Sequence, residues 1–118
     1  MIFRYCKIFI FLILGISLSS YSQKLKNFDD SLKYDKKSIE FEKLFVQANL
    51  EKNRGNVEQA TTLYFDCLKL KQSDAVYYEL AKLSLQKNNK SEAGENIKKA
   101  LKLSPRNEEY KRFSDSLK

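Results

Sequence analysis

Two carboxylates, Glu58 and Asp66, and one thiol, Cys67, are the residues with which this chain could attempt chemistry. An acid–base pair needs two titratable groups on one face, held in environments that push their proton affinities apart. Glu58 and Asp66 stand eight residues apart, just over two helical turns, so one helix can carry both on one side. Nothing in the surrounding sequence would desolvate either, and solvated surface charge accounts for them. A thiol that binds metal or cycles redox state needs companions. The sequence has no histidine, and its second cysteine, Cys6, lies in a charged stretch near the start. Without histidine the usual general base near neutral pH is missing. Three glycines in 118 residues cannot write a phosphate-cradling loop. The expectation is therefore no enzyme, no cofactor and no metal, with Cys67 serving as a small buried hydrophobe.

The formal net charge is +7, and 20 basic and 15 acidic residues remain once the first 22 residues are set aside. The two signs alternate, with no five like charges in a row, as on solvated helix faces. No nucleic-acid partner is expected. Met1–Lys7 is positively charged, Ile8–Leu18 is apolar, and small residues occur at Ser20 and Ser22. That order reads as a secretory signal peptide over residues 1–22, cleaved after Ser22. The apolar run is too short for the roughly 20 residues that a membrane-crossing helix needs. The expected product is exported, periplasmic or secreted, without a stable membrane span. Residues 23–37 read as a linker or a loosely docked segment, with Leu25, Phe28 and Leu32 at intervals of three and four.

Residues 38–118 carry the helical signal. Phe41, Leu44, Phe45 and Ala48 form an apolar stripe that Gly55 terminates. Asn56 and Gln59 have capping-box spacing and open a second helix with Ala60, Leu63, Tyr64, Cys67, Leu68 and Leu70 on its buried face. Asp74 is placed to cap a third, which buries Tyr77, Tyr78, Leu80, Ala81, Leu83 and Leu85. Asn88 ends that helix, because asparagine tolerates positive φ. Asn89 and Glu92 repeat the capping box before a fourth helix with Ala93, Ile97, Ala100, Leu101 and Leu103. Pro105 stops it. Asn107, Glu108 and Glu109 start a last helix whose apolar stripe is Tyr110, Phe113 and Leu117.

These positions repeat 33 residues apart: Gly55-Asn56 with Asn88-Asn89, Ala60 with Ala93, Cys67 with Ala100, Leu68 and Leu70 with Leu101 and Leu103. In the second copy Tyr77, Leu80-Ala81, Ala93, Ile97, Ala100 and Pro105 resemble the tetratricopeptide repeat, a helix–turn–helix unit of about 34 residues. The first copy is more degenerate, with Leu44, Gln47-Ala48, Gly55, Ala60, Tyr64, Cys67 and Gln72 at the same places. The resemblance implies an all-α tetratricopeptide-like α-solenoid of two antiparallel helix hairpins plus a C-terminal capping helix. Repeat 1 covers about 41–73, repeat 2 about 74–107 and the capping helix about 107–117. It also implies that Ala60 and Ala93 sit where the paired helices cross.

Family members bind extended peptides or helices in a groove lined by the first helix of each repeat. Carried across by position, the groove residues are Phe45, Asn49, Lys52 and Asn53 from repeat 1, and Tyr78, Lys82, Leu85 and Gln86 from repeat 2. Members that clamp a C-terminal carboxylate place a lysine one turn before the asparagine, where this chain has Phe45. The implied function is an exported protein–protein interaction module that binds a protein segment in envelope complex assembly or tethering. The alternative is a structural subunit of a larger assembly, or a homo-oligomer, with no free groove. Ala93→Phe is expected to cost about 1–3 kcal/mol by overpacking a helix crossing. A thermal melt that matches the parent would count against the hairpin reading.

Overall fold

The computed structural model describes the backbone of residues 2–118 and the side chains of residues 18–118. Its described residues form five helices and no strand: α1 Ile2–Asn53, α2 Val57–Leu70, α3 Asp74–Gln86, α4 Lys90–Leu103 and α5 Glu108–Ser116. The protein is all-α. It divides into two compact units, residues 1–38 and residues 39–118. Most of the signal peptide expected over residues 1–22 lies outside the described side chains. Among the described residues, no helix is long and apolar enough to cross a membrane. In the first unit the helix runs through residues 23–37, and every side chain from Leu18 to Ser38 is exposed.

In the second unit the internal repeat reappears as backbone geometry. α2 and α4 start at Val57 and Lys90 and end at Leu70 and Leu103, and α1 and α3 end at Asn53 and Gln86. Each boundary is thus reproduced 33 residues on, at the offset of the sequence pattern. Gly55 and Asn88 have φ of 84° and 60°, in the left-handed region. Around each, two backbone bonds close the preceding helix. Asn56 N donates to Glu51 O (2.9 Å) and Gly55 N to Lys52 O (3.1 Å); Asn89 N donates to Ser84 O (2.8 Å) and Asn88 N to Leu85 O (2.9 Å). This pair of bonds is the Schellman arrangement, which satisfies carbonyls that a helix end would otherwise leave open.

The core forms where small and large residues alternate on facing helices. One cluster joins Phe41 and Ala48 of α1 to Ala60, Tyr64 and Cys67 of α2 and to Val76, Leu80 and Leu83 of α3. A second joins Ala81, Ile97, Ala100 and Tyr110, with Phe113 and Leu117 packed against it. Tyr77 packs against both. α3 packs against α4 and α2, and α4 also against α5. The small positions Ala48, Ala60, Cys67, Ala81, Ala93 and Ala100 are all fully buried. The Cys67 Sγ donates to Phe41 O at 3.9 Å, a tie between α2 and α1. Burial, then the neighbouring Asp66 charge, pushes its thiol up to about 11. It is a core residue rather than a thiolate.

Four local expectations are corrected. Asn56 precedes α2 but makes no side-chain cap bond. Its Nδ2 instead donates to Glu51 Oε2 at 2.6 Å. Glu51 is buried beneath the turn, and Arg54 reaches its other oxygen at 2.8 Å. The Asn56 amide, followed by Arg54, holds the Glu51 carboxyl below the usual carboxylate range. A charge-assisted bond to a buried carboxylate outweighs a neutral cap. In the second copy Ser84 replaces Glu51, leaving Asn89 free, and its Oδ1 accepts from Glu92 N at 3.2 Å. Asp74 is not the cap of α3 but its first residue, after Ser73. Leu85 and Leu103, expected on buried faces, are exposed, whereas Val76 and Asn96 are buried.

A Cβ added at Gly55 meets no atom within 4 Å, so a substitution there tests backbone conformation alone. Gly55→Ala is expected to destabilise by about 1 kcal/mol, the cost of a left-handed residue that carries a Cβ. Asn88→Gly, at the equivalent turn, should leave the melting temperature unchanged or raise it. Equal melts for Gly55→Ala and the parent would show that this turn does not depend on its left-handed residue.

Candidate functional site

Residues of α1 and α3 that the sequence places on one groove meet at a carboxylate that the sequence analysis did not select, Glu79. Lys52 Nζ lies 2.8 Å from Glu79 Oε2, and Lys82 Nζ lies 2.6 Å from Glu79 Oε1. Both oxygens are taken, and the Glu79 side chain is only 14% exposed. The three-residue spacing of Glu79 and Lys82 on one helix was the legible half of this contact. The reach to Lys52, 27 residues away in the chain, was not.

On the α1 side, Tyr64 OH donates to Asn49 Oδ1 at 2.8 Å, Lys52 Nζ donates to the same oxygen at 3.3 Å, and Asn49 Nδ2 donates to Phe45 O at 2.9 Å. Phe45 stacks beside Phe41 at 6.1 Å and tilts against Tyr64 at 6.0 Å. On the α3 side, Lys82 Nζ lies 4.5 Å above the Tyr78 ring. Tyr78 packs against Tyr110 at 4.8 Å and edge-on to Phe113 at 5.5 Å. Its hydroxyl donates to Glu109 Oε1 at 2.9 Å. Phe45, Asn49, Lys52, Tyr78 and Lys82 thus belong to one run of contacts, with Tyr64, Glu79 and Glu109 as the members that sequence reasoning missed. Asn53, Leu85 and Gln86 lie exposed at the ends of α1 and α3, outside that run.

The electrostatics are close to balanced, because Lys52 and Lys82 are answered by Glu79 and, beyond Tyr78, by Glu109. The phenols along the run stay protonated. Burial, followed by the bond to Glu109, pushes Tyr78 up to about 12. Burial, followed by the Asp74 charge, pushes Tyr110 up to about 12. Burial, followed by the Glu79 charge, drives Tyr64 up as well. The hydroxyls of Tyr64, Tyr78 and Tyr110 and the ammonium groups of Lys52 and Lys82 are all bonded within the fold, so the run combines aromatic rings with polar groups that are satisfied internally. It holds no paired nucleophile and base.

The two carboxylates considered for acid–base work are held in separate ion pairs at the surface. Glu58 pairs with Lys87, and Asp66 with Lys69 at 2.6 Å. Among the described residues, no group of three or more histidine, cysteine, aspartate or glutamate side chains could hold a metal ion. No protein-family model matches the chain, and no curated protein is significantly similar to it.

A second cluster ties the last helix to α3 and α4. Asp74 Oδ2 accepts from Ser104 Oγ at 2.7 Å and from Tyr110 OH at 3.2 Å. Ser104, then the Ala75 amide and Tyr110, hold the Asp74 carboxyl below its ordinary value. A lowered folded-state value stabilises the fold above the unfolded carboxyl range and is lost as pH falls through the folded value. A raised tyrosine does the opposite, stabilising below the unfolded value and losing that as pH rises. Stability is therefore expected to fall on acidification below about 4, and again on raising the pH above about 10. Asp74→Asn should be less stable than the parent at neutral pH and show a shallower acid decline in pH-dependent urea melts. Parallel acid limbs for the two proteins would remove Asp74 from this role.

Proposed function

We propose that residues 39–118 are a protein-binding module, a tetratricopeptide-like pair of helix hairpins (α1 with α2, α3 with α4) closed by α5. The 33-residue recurrence of helix ends and left-handed turns supports this reading. The module takes an extended protein segment along the face built from α1 and α3, in an exported protein that helps assemble or tether an envelope complex. The observation that carries the reading is the convergence of Lys52 and Lys82, from the two helices, on Glu79. It links Lys52 of the first copy to Lys82 of the second, and through them Asn49 and Tyr78, in one amphipathic run. No catalytic role, cofactor or metal is proposed, and no nucleic-acid partner.

Within this surface the residues divide by commitment. Asn49 is bonded to Tyr64, Lys52 and its own helix, so its role is to hold α1 against α2. Lys82, held by Glu79 but with its side chain 38% exposed, and Asn53, exposed beyond the end of the run, can still reach a ligand. Capture from envelope extracts should therefore compare the parent with Lys82→Glu combined with Asn53→Glu, each first shown to melt as the parent does within a few degrees. The expected result is loss of a defined set of captured proteins by the variant. Retention of the same set would place binding elsewhere on the molecule.

A further inference from the structure

The first unit carries a pattern that the groove does not use. Leu18, Tyr21, Leu25, Phe28 and Leu32 follow one another on α1 at intervals of three, four, three and four. They are exposed by 52–69%. The positions fall on a stripe about 80° wide, narrower than the face that a helix lays on a globular core and matching the a and d positions of a heptad seam. The apolar run before Leu18 places Phe11 and Leu14 in the same register of the sequence. Around the seam, Ser19, Gln23, Lys26, Asn27 and Asp30 are polar, and Asp35 at the next d position ends it. A single helix of this kind has little stability in water unless its stripe is covered.

We propose that Leu18–Leu32 pairs with the same segment of a second copy as a parallel two-stranded coiled coil. The charges select the occupant and its direction. With Leu18 at position a, Lys24 occupies g and Asp29 occupies e of the following heptad. In a parallel in-register pair, g of one helix faces that e of the other, so Lys24 meets the second copy's Asp29, and symmetry makes the contact twice. An antiparallel pair sets e against e and g against g. The seam's e positions are Ser22 and Asp29 and its g positions Lys24 and Ser31, so that arrangement brings no opposite charges together. A lipid surface favours a broader apolar face with a basic border, whereas Asp29 lies beside this narrow one. Cleavage after Ser22 would remove Leu18 and Tyr21. Self-pairing therefore belongs to the chain that keeps its leader, and processing would release it.

Cysteine cross-linking tests the proposal on the full chain in mild detergent, its intact N-terminus checked by mass. The background is Cys6→Ser, which leaves only the buried Cys67. On gentle oxidation, Leu25→Cys or Phe28→Cys should form a disulfide dimer and Asp30→Cys, on the far face, should not. In the cross-linking background, adding Lys24→Asp should lose most of the dimer, and adding Asp29→Lys to that variant should recover it. Equal cross-linking on both faces, no dimer at either seam position, or failure of the charge exchange to recover it each overturns parallel pairing. So does flotation of a monomeric chain with anionic lipid vesicles.

Discussion

Gly55 and Asn88 carry positive φ, and with that single conformational choice each chain segment reverses out of one helix and into the next. The two paired backbone bonds around each residue then satisfy carbonyls at the helix end without help from solvent or side chains. The helix ends on either side of the two turns recur at a fixed distance of 33 residues. Since each turn has the same geometry and each following helix starts two residues later, Ala60 and Ala93 arrive at equivalent buried places, as do Cys67 and Ala100. A larger residue at any of these would meet a close-packed interior that cannot absorb added volume without moving backbone.

The two copies differ in what lies beneath the turn, and the difference propagates. Glu51 in the first copy brings a carboxylate into a buried place and draws Arg54 and Asn56 onto it. Ser84 in the second returns its hydroxyl to Leu80 O and asks nothing of its neighbours. The same asparagine position is therefore a latch in one copy and a helix cap in the other. Asp74 shows a related economy. In the first turn of α3 it suits the positive end of the helix dipole, yet its oxygen also gathers Ser104 and Tyr110. One carboxylate thus ties the end of α4 and the whole of α5 to the start of α3.

The candidate binding face is built by the same logic of shared acceptors. Glu79 stands between two lysines from different helices, and Asn49 Oδ1 accepts from both a tyrosine and a lysine. These bonds satisfy the polar groups of the face internally, so a ligand would exchange contacts with groups already positioned rather than order loose side chains. Tyr78 extends the face towards α5 with a ring that Lys82 covers. The proposed role of this face is recognition, and Cys67 lies apart from it as a buried, protonated thiol.

Much of this was legible in the residues themselves. Helix ends followed from Gly55, Asn88 and Pro105, because their backbone preferences act locally and need no partner. The buried identities of Ala48, Ala60, Tyr64, Cys67, Leu80, Ala93, Ile97 and Ala100 followed from periodicity, because a helix that must cover a core shows it every three or four residues. The side-chain bonds were not legible in the same way. Asn56 satisfied the local rule for a cap and was drawn elsewhere by a buried charge. Leu85 satisfied the periodicity but falls outside the covered surface. Glu79, Tyr64 and Glu109 joined the candidate face only when separate helices brought them within reach. Local sequence determines which backbone each segment adopts and which face is apolar. Which polar groups meet, and which lysine answers which carboxylate, depends on distances between helices that only the tertiary packing sets.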